Sequence, residues 1–223
     1  MASIAPVSGS HGSAADLLAR LADADGSAAH RYVASADLLS GRFATRNLAD
    51  AIHYLCTLHG RHPGVLDHAA GRSAHDGARG WLIKAVDGFA GERAALAKLV
   101  VAVGPLPSTP GQAESESAVN GQRHALDMLA QSDRDGCALG AALTLVLDWK
   151  AVRGVIDTIA NRLGVEIAAC TLPTRGETLA VADAVAISAG VERAMAFGAQ
   201  QILGQHRGLW DLLDARQIAR GEY

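Results

Sequence analysis

GCALGAALTLVLDWKAVRGVIDTIANRLG, residues 136–164, decides the fold class. Leu139, Leu143, Val146, Leu147, Val152, Ile156, Ile159 and Leu163 recur at helical spacing, the period of an α-helix with a buried face. Gly164 supplies the residue type that stops such a helix. A helix starting after Asp133 and ending there has about 30 residues and is roughly 45 Å long at 1.5 Å per residue. The uncharged apolar part, Gly136 to Leu147, is too short to span a bilayer.

Helix signals continue on both sides. Downstream, Val165–Leu172 alternates weakly but has no strand to pair with, so it reads as a crossing connection. Thr174 with Glu177 forms a capping box after Pro173 and opens a helical region to about Arg220, with Ser188-Ala189-Gly190 as a place to bend or break. Upstream, Gly104-Pro105-Leu106-Pro107-Ser108-Thr109-Pro110-Gly111 is the strongest loop. It predicts a helix start with Thr109 as N-cap, Pro110 at the first helical position and Gln112 completing the box. Before it, Ser13 with Asp16 caps a helix that ends at Asp25-Gly26. Ser27 is expected to cap a second, running to Ser40-Gly41. Thr45 is expected to cap a third, through Leu48, Ile52, Leu55 and Leu58. One or two more run from Ser73 to Gly104, interrupted around Asp87-Gly88. The expectation is an all-α protein, an irregular bundle of about six to eight helices, with long helices in the C-terminal half. It comprises a disordered tail (1–12) and one helical domain (13–220), divided into a short-helix half (13–103), a crossover loop (104–111) and a long-helix half (112–220).

Composition agrees with close helix packing. Residues are 49% hydrophobic and only 4% aromatic, with 19% charged, so the core is built from Ala, Leu and Val. The net charge of −3 gives no basic face for nucleic acid, and scarce aromatics offer no stacking platform. No membrane and no nucleic-acid partner is expected. Cys56, Cys137 and Cys170, odd in number and far apart, fit a reducing compartment. The start MASIAPVSGSHGS has neither the basic nor the apolar region of a secretory signal. A cytoplasmic protein follows as the expectation, and the Ala-, Gly- and Arg-rich style suggests a bacterial one.

Chemistry concentrates in H-Y-L-C-T-L-H-G-R-H-P-G, which places His53, Cys56, His59 and His62 at three-residue steps, with His68 shortly after. Imidazole and thiolate bind transition metals and move protons near neutral pH. Each step of three rotates by about 300° around a helix. His53 therefore neighbours Cys56 and Cys56 neighbours His59, while His53 and His62 face opposite sides. Gly60 and Pro63 also turn His62 out of the helix. A metal site here needs completion from elsewhere, by His68 or a residue of the C-terminal helices.

The last helix offers such a residue. Glu192, Met195, Ala199, Ile202, His206, Leu209 and Leu213 form one stripe, with Gly204 and Gly208 beside His206. Those glycines would let a flat cofactor such as haem, or another helix, approach the imidazole. Asp50 with His53, and His124 with Asp127, read as charged pairs on solvated helix faces. No phosphate loop, dinucleotide fingerprint, nucleophile elbow or HExxH is present, so the common nucleotide-dependent and hydrolase chemistries are not expected. Two functions follow as expectations. One is a metal- or redox-cofactor-binding bundle using His53, Cys56, His59, His62 and His68 with His206, its small-molecule ligand unspecified. The other is a non-catalytic, self-associating interaction or structural protein, such as a homodimer.

Overall fold

The computed structural model describes residues 12–73, 75–106, 109 and 111–221. Among them are nine α-helices and no strand: α1 (Ala14–Asp25), α2 (Ala36–Leu39), α3 (Ala44–His59), α4 (Val65–Arg72), α5 (Asp76–Val103), α6 (Gln112–Ala130), α7 (Cys137–Leu163), α8 (Arg175–Val185) and α9 (Ala189–Ala219). A 3-10 turn, Ser27–Ala29, follows α1. The all-α bundle read from the periodicity is the fold.

Its axis is the α7–α9 pair, the most extensive helix contact in the molecule. Two glycines explain the approach. A Cβ on Gly198 would lie 2.1 Å from the Cys137 carbonyl oxygen, and one on Gly140 would lie 2.3 Å from that of Met195. The helices meet backbone to backbone there, closer than any side chain permits. The expected close approach at Gly204 and Gly208 is therefore corrected. Gly204 faces open space and Gly208 meets only the Gln122 side chain. Fully buried Trp149 and Trp210 thicken the core on either helix.

Local signals placed several ends correctly. Ser13 and Asp16 form a capping box, as do Thr174 and Glu177, and Gly164 ends α7 with φ +63°. Ser188 accepts a hydrogen bond from the Val191 amide and starts a new helix, so the final region is two helices. Others are corrected. Ser27 heads only the 3-10 turn, and the short α2 is capped by Ser35. α3 begins at Ala44 without a side-chain cap. α6 begins at Gln112 behind Gly111, whose φ of +76° fits glycine, while the Gln112 side chain accepts from the Thr109 amide at 3.4 Å as in the expected box. Pro110 and the tail 1–11 lie outside the described residues. The largest correction is α5, which runs 28 residues without interruption, so the first half is not made only of short helices. Gly88 does not break it. A Cβ there would come within 3.0 Å of the Leu172 amide nitrogen, so Gly88 is the seat over which the 165–174 connection crosses.

Candidate functional site

α3, α7, α9 and the 3-10 turn converge on a buried polar chain. α3 brings His59 in its last turn, α9 brings His206 and, one turn later, Trp210. α7 brings Asp148 from the middle of its apolar run. Nε2 of His59 lies 2.8 Å from Nε2 of His206, and Nδ1 of His206 lies 2.6 Å from Oδ2 of Asp148. Ser27 closes the far end. Its amide donates to Asp148 Oδ1 and its hydroxyl to Oδ2, both at 2.6 Å. The indole N–H of Trp210 donates to that hydroxyl at 2.8 Å. His206 is 1% exposed, Asp148 4% and His59 6%.

The partners set the tautomers. A carboxylate only accepts, so His206 Nδ1 carries a hydrogen. One further proton sits between the two Nε2 atoms. When His59 holds it, both rings are neutral and His59 Nδ1 is bare. A proton arriving at that Nδ1 would let the shared one pass to Nε2 of His206, across the ring from the Asp148 carboxylate.

The electrostatics agree. Burial, together with the nearby charge of His206, holds the His59 pKa well below the ordinary imidazole value. Burial alone would raise the Asp148 carboxyl. Hydrogen bonds from His206 and Ser27, with the charge of His206, outweigh it and hold the pKa below the usual range.

His59 is walled by aromatic rings. Trp149, Phe89 and His206 meet it edge-on at centroid distances of 5.4, 6.2 and 4.9 Å. Trp149 links this chain to a second network, its N–H donating to Glu92 Oε2 at 2.9 Å. Arg153 binds the other Glu92 oxygen at 2.5 Å and reaches Ala168 O and Asp157. On one side His59 lines a cleft of about 20 Å³ with Arg61, Arg123, Asp127 and Phe89, room for about one water. On the other side, Asp148 and Trp149 border an open groove of about 990 Å³ with Arg153, Cys170 and Pro173.

The histidine corner is dispersed by this fold. His53 Nε2 lies 2.8 Å from the Gly104 carbonyl and so holds the end of α5. Cys56 is half-buried beneath Gly60. His62 is exposed, 3.3 Å from Asp67. Asp67 itself caps α4 through the Gly64 amide and takes two hydrogen bonds from Arg93. His68 is half-buried on α4. Only His59 of the five reaches His206. Among the described residues, no three His, Cys, Asp or Glu side chains are grouped to hold a metal ion. Burial raises the thiol pKa of both Cys56 and Cys170, away from nucleophilic thiolate. Asp50 is a correction, since it is buried against Arg216 and Arg220 and not on a solvated face.

Asp148, Ser27, Glu92 and Arg153 escaped the sequence reading. Asp148 carried a usable signal, being the acid that ends the longest uncharged apolar run, L-V-L-D-W. Nothing in the sequence around Ser27, Glu92 and Arg153 singles them out.

No curated protein and no solved structure matches the chain. A family model described as "Family of unknown function (DUF6975)" matches residues 22–221, and the chain belongs to that family.

Proposed function

We propose that the protein is an acid–base catalyst whose working group is His59, with His206 and Asp148 behind it. The supporting observation is the pair of short contacts in series, 2.8 Å between the two imidazoles and 2.6 Å from the second to a buried carboxylate. Bare Nδ1 of His59 takes a proton from a water-sized molecule in the cleft, the shared proton moves to His206, and Asp148 balances the charge. Arg61 and Arg123, which line the same cleft, bind an anionic substrate at its mouth. The hydroxide left behind attacks the bound ester or phosphate and expels its alcohol, and a carboxylate orienting one imidazole that supports the second suits that task. The test is turnover of a panel of nitrophenyl esters and phosphates. His59→Gln and His206→Gln should each lower kcat at least about 100-fold, the usual worth of a positioned acid–base group, while His53→Gln leaves it unchanged. No turnover by the wild type, or turnover that survives both substitutions, would sink the reading.

Metal binding is the second reading. Two ring nitrogens 2.8 Å apart are close to the spacing of adjacent ligands on one ion, about 3 Å for bonds near 2 Å. A carboxylate on the remote nitrogen is also what a ligating histidine commonly has. A third protein ligand is missing among the described residues. Elemental analysis of untagged protein decides it, stoichiometric zinc, copper or iron supporting this reading and less than about 0.1 equivalent removing it.

A further inference from the structure

We infer that the C-terminal end of α9 holds a second site, a buried seat for an oxyanion built by Arg216 and Arg220 against α3. It lies apart from the histidine chain and does not depend on the acid–base reading.

Arg216 Nε donates to Asp50 Oδ2 at 3.0 Å, and Arg220 Nη2 lies 2.5 Å from the same oxygen. The three side chains are buried, with 3%, 7% and 3% of Arg216, Arg220 and Asp50 exposed. Two guanidiniums share one carboxylate oxygen, so one positive charge of the trio is left over. Arginine cannot relieve this by losing its proton. Among the described residues, Arg216 Nη1 and Nη2 and Arg220 Nε and Nη1 are buried with no hydrogen-bond partner, and the second Asp50 oxygen and the Tyr54 hydroxyl are the idle acceptors beside them. An uncompensated buried charge and four idle donors are a costly arrangement for a folded core. None of the other carboxylates nearby hydrogen-bonds either guanidinium: Asp214 bonds Arg31 and Gln217, Glu116 bonds Gln112, and Asp37 is exposed.

The unused donors also define the ligand. A planar fork of N–H groups matches two oxygens of one carboxylate or phosphate group. The Arg216 guanidinium stands 5.8 Å over the Tyr54 ring, which stacks one face and leaves the edge for an anion. A groove of about 460 Å³ lies on the neighbouring turn of α9, lined by Arg31, Tyr32, Gln217 and the carboxylates of Asp37 and Asp214, and the two arginines sit behind its wall.

The experiment is calorimetric titration of the full chain with inorganic phosphate and, in a second arm, succinate, with sodium chloride matching ionic strength. Saturable binding of either anion is expected, phosphate alone identifying a phosphate ligand and succinate alone a carboxylate one. Arg220→Lys should weaken binding about tenfold, the loss of one charge-assisted hydrogen bond, while Arg207→Gln, elsewhere on α9, should not. Arg216→Lys should do the same if it folds. Asp50→Asn removes the competing carboxylate and should tighten binding about tenfold, a change of sign that misfolding does not mimic. Neither anion binding above the chloride control, Arg220→Lys binding like wild type, or Asp50→Asn failing to tighten would each overturn the proposal.

Discussion

Three donors converge on the Asp148 carboxylate: the Nδ1–H of His206 and the amide and hydroxyl of Ser27. An amide in its place offers one accepting oxygen and two hydrogens facing donors. Asp148→Asn should therefore lower the unfolding free energy by about 3 kcal/mol or more, the usual cost of breaking a buried pair on one side, measured by urea denaturation. A loss within about 0.5 kcal/mol would show that the carboxylate is not anchoring the chain. At this scale the sequence was half legible. His59 and His206 were both visible as candidates, because histidine on or beside an apolar stripe is unusual. Their pairing was not, because 147 residues separate them and only the α7–α9 packing sets which turn of α9 faces α3.

Between elements, glycine position decides the geometry. Gly198→Ala sets a methyl 2.1 Å from a backbone oxygen of α7, so two helices must separate. A loss of about 3 kcal/mol is expected, at the upper end of overpacking costs because no side chain can yield. Gly204→Ala, with nothing within 4 Å and exposed on the same helix, should stabilise by about 0.5–1 kcal/mol through helix propensity. Thermal melts of the two variants should move in opposite directions, and equal shifts would refute the account of the α7–α9 crossing. Helix existence was legible from period and caps. The continuity of α5 was not, because Asp87-Gly88 has the composition of a break and its reason, the crossing of Thr171 and Leu172, lies 83 residues away.

For the molecule as a whole, the histidine pair makes stability depend on pH. Unfolded, the His59 imidazole protonates near pH 6.5. Folded, His59 stays neutral below that because its pKa is lowered. The unfolded chain thus binds about one more proton, and stability rises with pH up to about 6.5, then levels. Below that, the unfolding free energy should fall by about 1.4 kcal/mol per pH unit. Asp148, whose folded pKa is depressed, adds a second loss as pH falls below the ordinary carboxylate range. His59→Gln should remove the first slope and keep the second, and an unchanged slope would assign it elsewhere. Large apolar side chains left exposed, among them Ile83, Met128, Phe197 and Ile218, are spread over α5, α6 and α9. Self-association therefore stands as a proposal, checked by sedimentation.

The most direct test of the proton relay is long-range ¹H–¹⁵N correlation of the histidine rings between pH 5 and 8. The account predicts a His206 Nδ1 that stays protonated, a strongly downfield proton shared by the two Nε2 nitrogens, and a His59 that remains neutral throughout. A His59 that titrates alone near pH 6.5, or two rings with independent protons, would contradict it.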